Sequence, residues 1–162
     1  MYVCNMIEIE RKFLVNGDFL PFAIAHHNIE QGYLCTESGR TVRVRLNDGK
    51  GFLTIKGRTD AKGMSRFEWE QEIDAADART MLDMCGDRTI VKTRHIVPSE
   101  DGRHTWEVDE FHGRNSGLIV AEIELGSEDE DFPLPGWIGR EVTGNRAYYN
   151  SALLSGNPDT AK

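Results

Sequence analysis

Apolar and charged residues alternate with period two along most of the chain. In residues 7–13, I-E-I-E-R-K-F, an extended backbone puts Glu8, Glu10 and Lys12 on one face and Ile7, Ile9, Arg11 and Phe13 on the other. The same period, broken by Gly, Asn and Asp turn signals, predicts strands over residues 6–15, 29–36, 40–47, 52–58, 64–73, 88–97, 103–111 and 117–126. Asn47-Asp48-Gly49 is the strongest hairpin signal among the turns. Residues 74–85 change period: Ala75, Ala78, Met81, Leu82 and Cys85 recur at helical spacing, and Gly86 follows as a stop. Three further helical pieces are expected: 18–27 behind an Asp18 cap, a turn at 137–140, and 145–154 capped by Asn145. Residues 1–5 read as a short extension, 1–155 as one domain, and 156–162 as a disordered tail.

Sorting each strand by parity gives seven strands with one charged and one apolar face. The charged faces are Glu8, Glu10 and Lys12; Arg43 and Arg45; Lys56; Glu68, Glu70 and Glu72; Lys92 and Arg94; Glu107 and Asp109; Glu122 and Glu124. An open sheet with its charged face in water would account for the alternation. The signs, however, segregate by strand, with 40–47, 52–58 and 88–97 basic and 64–73, 103–111 and 117–126 acidic. Solvated faces usually mix signs. Eight strands can instead close into an antiparallel barrel. The pattern therefore fits an α+β, mainly β fold, either an open sheet or an eight-stranded antiparallel β-barrel, or tunnel, with a charged lumen and flanking helices over its apolar outside.

Composition narrows the chemistry. The net charge of −8 argues against coating DNA or RNA. No apolar run approaches the ~20 residues of a membrane helix, and the N-terminus lacks a signal-peptide core. Cys4, Cys35 and Cys85 are odd in number and unpatterned, which fits a reducing cytoplasm and free thiols. None of the five histidines forms a metal-ligand spacing, and Trp69, Trp106 and Trp137 read as packing residues. There is no Walker loop, no G-x-S-x-G and no zinc motif. What remains is a lumen with two complementary clusters. Carboxylates bind hard divalent cations, and Arg and Lys bind polyanions. Polyphosphate chemistry uses both.

The residues of this pattern resemble a known family. E-I-E-R-K-F at 8–13 is similar to the ExExK signature of the CYTH, or triphosphate tunnel metalloenzyme, superfamily. G-Y-L at 32–34, R-V-R at 43–45, T-I-K at 54–56, R-F-E-W-E at 66–70, K-T-R at 92–94, W-E-V-D at 106–109, A-E-I-E-L at 121–125 and E-V-T-G-N-R-A-Y-Y-N at 141–150 follow in order. The chain most resembles the short bacterial members, often inorganic tripolyphosphatases. The resemblance implies the closed alternative, an eight-stranded antiparallel tunnel, and hydrolysis of a small-molecule triphosphate with Mg²⁺ or Mn²⁺. It implies metal ligands at Glu8, Glu10, Asp109, Glu122 and Glu124, and phosphate binding by Lys12, Arg43, Arg45, Lys56, Lys92 and Arg94. Tyr33 with Lys56 matches a catalytic pair. Glu68 and Glu70 are left open between a second metal and anchoring of the basic side chains; Glu72, near its strand end, is read as structural. Adenylate cyclase and thiamine triphosphatase are the other activities of the same scaffold considered. A non-catalytic polyphosphate- or nucleotide-binding module is the rival of another class. A homodimer stays open.

Overall fold

In the computed structural model, residues 7–37 and 39–159 are described. Cys4, the extension at 1–5, Ser38 in its turn and positions 160–162 of the tail lie outside the described residues. The strands are β1 (Ile7–Val15), β2 (Ala25–Cys35), β3 (Arg40–Asn47), β4 (Lys50–Gly57), β5 (Ser65–Ile73), β6 (Thr89–Pro98), β7 (Thr105–Phe111), β8 (Ile119–Glu124) and β9 (Ile138–Glu141). One helix, α1 (Ala75–Cys85), lies between β5 and β6. The sheet order is β5-β4-β3-β2-β6-β7-β8-β1, and β1 pairs back to β5, so eight antiparallel strands close into a barrel. The closing seam is short: Ile7↔Phe67, Glu8↔Arg66 and Ile9↔Ser65. Beyond it β1 continues against β8 from Glu10 to Leu14, while β9 takes over the edge that β5 has left.

The parity assignment places the core outside the barrel wall. Val44 on β3 packs under Ala78, Leu82 and Cys85 of α1. The helix forms where the period change predicts it: Asp74 caps it by accepting from Ala76 N (2.8 Å), and Gly86 ends it at φ 57°. The opposite flank buries Phe13, Phe19, Trp106, Val108, Ala121, Ile123 and Trp137. Loops cover this flank, so the expected flanking helices reduce there to the segments holding Phe19 and Trp137. Trp106 and Trp137 are packing residues, with rings edge-on at 5.7 Å. Cys35 and Cys85 are free thiols.

Three helical expectations fail for identifiable reasons. Residues 18–27 make only a 3₁₀ turn, Leu20–Phe22, before β2 begins at Ala25. Pairing of Ala25–Asn28 with Ile96–Thr93 on β6 overrides the local helical pattern. Residues 138–141 are a strand because β1 offers a free edge there, with Val142 N donating to Lys12 O at 2.8 Å. The last helix is two 3₁₀ turns, Arg146–Tyr148 and Ala152–Ser155, although Asn145 does cap the first by accepting from Ala147 N. Tyr148 and Leu153 both enter one buried cluster. Five positions apart, they would stand about 140° apart on a straight α-helix.

Helix α1 lies directly on two glycines of the wall. A Cβ at Gly51 would stand 2.7 Å from Ala78 Cβ and 2.9 Å from Ile73 O, and one at Gly32 would stand 2.7 Å from Cys85 Sγ. Gly51→Val is therefore expected to lower unfolding stability by about 1–3 kcal/mol through overpacking. Gly136→Ala, where an added Cβ meets nothing within 4 Å, serves as the control. Urea unfolding should show a lower midpoint for the first and little change for the second; equal midpoints would contradict this packing.

Candidate active site

The lumen carries the charged faces inward. Lys12, Arg43, Lys56, Lys92 and Asp109 are all buried, as are Gln31, Thr54 and Tyr33. A cavity of about 630 Å³ is lined by Glu8, Glu10, Arg43, Arg45, Lys56, Arg66, Glu68, Arg94, Glu107, Glu122 and Glu124. It adjoins a smaller space walled by Lys12, Tyr33, Thr143, Tyr149 and Asn150, with Glu10, Arg43, Lys56 and Arg66 common to both. Beyond Lys92 the inward positions turn apolar: Ile90, Phe111 and Val120 join Tyr148 and Leu153 in a plug, with Lys92 Nζ 5.5 Å from the Phe111 ring centre.

Buried charges need partners, and cross-strand register supplies them. Arg94 stands opposite Asp109 and grips it with two bonds, Nε to Oδ1 at 2.7 Å and Nη2 to Oδ2 at 2.8 Å. Lys92 Nζ donates to the same Oδ2 at 2.5 Å. At 2% exposure Asp109 has no water to share, so both its oxygens are committed to Lys92 and Arg94. Arg94 also pairs with Glu107. Lys12 pairs with Glu122, its neighbour on β8, at 2.8 Å. Lys56 meets Glu68 at 2.5 Å and Glu8 at 3.1 Å. Glu70 accepts from Thr54 Oγ1 (2.7 Å) and Arg45 (3.1 Å), with Arg43 at 3.4 Å. Arg45 also lies over the Phe52 ring at 5.1 Å. Glu68 and Glu70, open at the sequence level, thus stand against the basic side chains of β3 and β4.

The acidic side is less evenly balanced. Burial alone would raise Glu8, but Lys56 and Arg66 hold it down at about 2. Glu10 goes the other way: burial, followed by the charge of Glu122, pushes it up to about 7 against the pull of Lys12. Glu124, opposite Glu10 at the exposed rim, is also raised, by partial burial and by Glu8 and Glu107. Glu124 has no ion pair among the described residues. On the basic side, burial lowers Lys92 to about 8 despite Asp109.

Among the described residues no three Asp, Glu, His or Cys side chains stand as a preformed metal cluster, since most carboxylates are turned to a cation. The donor set nonetheless fits a hard divalent ion. Glu10 and Glu124 face each other across β1 and β8, Glu8 and Glu122 lie on the same faces, and the first two are raised by burial and by neighbouring carboxylates.

Tyr33 and Lys56 share a wall without a hydrogen bond between them: the Tyr33 hydroxyl accepts from Gln31 Nε2 at 2.9 Å, and burial raises the phenol. Sequence reasoning placed Lys56 and the other charged candidates on inward faces, and named Tyr33 through the resemblance alone, but passed over several residues. Arg66 shares parity with Glu68 and Glu70, and its sign was masked by an otherwise acidic strand. Its Nε donates to Glu8 Oε2 at 3.0 Å. Gln31 and Thr54 carry no charge to mark them. The contribution of Thr143, Tyr149 and Asn150 depends on the path of the C-terminal segment, which local pattern does not encode.

Comparison with known proteins agrees with this architecture. Residues 6–153 match the CYTH domain. The chain is 45% identical over 152 residues to a protein named inorganic triphosphatase from Acetivibrio thermocellus, covering 93% of this chain and 94% of that one. It is 36% identical over 156 residues to a protein of the same name from Nitrosomonas europaea, covering 94% and 100%. The crystal structure of the inorganic triphosphatase NE1496 superposes with a TM-score of 0.65 at 33% identity, covering 93% of this chain and 96% of the other. With the match spanning nearly the whole barrel and the inward charges in register, the chain belongs to the CYTH domain family.

Proposed function

We propose that the protein hydrolyses inorganic triphosphate to pyrophosphate and phosphate, with Mg²⁺ or Mn²⁺ bound in the lumen. The observation that carries this reading is that one barrel chamber is lined both by Arg43, Arg45, Lys56 and Arg94 and by the carboxylates Glu8, Glu10, Glu122 and Glu124. Similarity over nearly the whole chain, at 45% and 36% identity, to two proteins named inorganic triphosphatase supports the choice of substrate.

Lys12, Arg43, Arg45, Lys56, Lys92 and Arg94 would hold the phosphate oxygens, the arginines by paired donors. Asp109, Glu68 and Glu70 keep these cations extended and aimed while the chamber is empty, which lowers the reorganisation needed on binding. Glu8, Glu10, Glu122 and Glu124 would hold the metal, and Asp109, sequestered by Lys92 and Arg94, acts through those two residues. When bound, a divalent ion supplies charge neutralisation at the phosphates and acidifies a water for attack. Hydrolysis would add a water to a terminal phosphorus and break the bridging P–O bond, releasing phosphate and pyrophosphate with the water's proton passing to solvent. Lys56 and the neutral Tyr33 phenol face the same space and would balance the charge that builds on the leaving oxygen. An adenine or thiamine ring would need an apolar or aromatic slot. The inward apolar residues instead form a filled plug with Tyr148 and Leu153.

Three arms separate these activities: triphosphate, ATP and thiamine triphosphate, each with Mg²⁺, Mn²⁺ or EDTA. Phosphate, pyrophosphate and cyclic AMP are measured. Phosphate release from triphosphate that EDTA abolishes is expected; turnover confined to ATP, or binding without turnover, would contradict the reading. Glu10→Gln and Lys56→Ala should each reduce phosphate release by about 10²–10³-fold or more with the fold intact. Full activity in either folded variant would count against it.

Metal-free stability gives a second check. Glu10 ionises at about 7 in the folded chain against an ordinary 4.5, so the native state binds the extra proton between those values. Stability from this group is therefore lost as pH rises through the window, by on the order of 1 kcal/mol per pH unit. Glu10→Gln should be increasingly more stable than the parent from pH 5 to 7 and keep a constant advantage above. A pH-independent difference would contradict the burial of Glu10 as a strained carboxylate.

A further inference from the structure

Arg66 is an inward cation that spans two candidate metal ligands of one strand. Its Cα is fixed opposite Glu8 by the β1–β5 seam. Its guanidinium spans two carboxylates of one β1 face, with Nε to Glu8 Oε2 at 3.0 Å and Nη2 to Glu10 Oε1 at 3.5 Å. The second contact is at the limit of a hydrogen bond, so Arg66 is held firmly at one carboxylate and loosely at the other. Lys56 also touches Glu8, but Glu68 at 2.5 Å pins it elsewhere. Among the described residues Arg66 has no second anchor of that kind. It borders the charged chamber and the Lys12–Tyr33 space. It also borders an outer groove carrying Arg58, Lys62 and Arg146.

We infer that Arg66 is a resident counter-charge at the cation site, displaced from Glu8 and Glu10 by a divalent ion and then turned to the oxygens of the triphosphate. This rests on the function proposed above and adds to it a coupling between its two ligands. A guanidinium cannot lose its proton, so it cannot simply be neutralised when a divalent ion takes its carboxylates. A divalent ion bonds carboxylate oxygen at about 2.0–2.2 Å and carries twice the charge, so it outcompetes the looser fork. The released Arg66 remains in a chamber whose anion is the substrate. Metal binding thus creates a phosphate-binding group, and by reciprocity triphosphate tightens metal binding. Arg66 is a positioning residue for the carboxylates in the empty state and a substrate-binding residue in the loaded state.

The test uses the purified, metal-free full chain and Mn²⁺ without substrate, with free Mn²⁺ read by electron paramagnetic resonance. Arg66→Met should bind Mn²⁺ about tenfold more tightly than the parent, within the ordinary range of site–site coupling. At saturating Mn²⁺, the same variant should bind imidotriphosphate, a slowly hydrolysed analogue, about tenfold more weakly. Arg66→Lys keeps the charge without the fork and should fall between; it and Arg66→Gln carry the comparison if Arg66→Met does not fold. Unchanged or weaker Mn²⁺ binding on removing the guanidinium would overturn the inference. Parent binding that is absent, or indifferent to Glu10→Gln, would overturn the metal reading and this inference with it. Parent binding lost in Glu10→Gln but unaltered by any Arg66 substitution would overturn the inference alone.

Discussion

A charge removed from water must be met by an opposite charge, and the interior of this barrel is built on that requirement. Asp109 between Lys92 and Arg94 is its densest expression: an anion and two cations, with Lys92 at 1% and Asp109 at 2% exposure. Removing one partner from such a group leaves an uncompensated buried charge, which is far costlier than removing the group whole. The network therefore holds each basic side chain in a defined direction before any ligand arrives. Balance is poorest on the β1–β8 side, where Glu124 has no ion pair among the described residues and Glu10 meets Arg66 only at 3.5 Å. Under the proposed function, this carboxylate-rich side is where a divalent ion would bind, and the basic wall is where the anion would bind.

Turning the charges inward forces the hydrophobic core outward, and the accessory segments follow from that. Helix α1 covers the β2–β4 flank so closely that Gly32 and Gly51 leave no room for a side chain. Phe19, Phe132 and Trp137 come from loops to cover Phe13, Trp106 and Ile123. The C-terminal segment reaches the barrel by a different route. Thr143 Oγ1 accepts from Lys12 N at 2.9 Å where the β1–β5 seam has opened, and Tyr148 then joins the apolar plug. The seam, the plug and the small space beside Lys12 are one arrangement, in which a gap in the wall is filled by the end of the chain.

Period-two alternation was enough to read the strands, their faces and the inward charges, because a half-buried strand writes its environment into every second residue. Segregation of the signs agreed with closure, since a lumen needs complementary walls and a solvated face does not, but it was the family resemblance that implied a closed tunnel. Helix α1 was legible from its own period and caps. The pieces that were not legible depend on distant partners: residues 25–28 are extended because β6 pairs with them, and 138–141 because β1 has a free edge. Arg66 was hidden differently. Its parity was correct, but sign counted strand by strand classed β5 as acidic, whereas the register places Arg66 against Glu8 of the neighbouring strand. Charge complementarity across a seam is a property of two strands and cannot be read from one.

The most direct measurement is a crystal structure of the full chain with Mn²⁺ and imidotriphosphate, with the metal located by its anomalous signal. The peak should lie among Glu8, Glu10, Glu122 and Glu124, with the phosphates against Lys12, Arg43, Arg45, Lys56, Lys92 and Arg94 inside the barrel. Metal and phosphates bound on the outer surface, with the lumen still closed by its own ion pairs, would contradict the assignment of this chamber as the site of triphosphate chemistry.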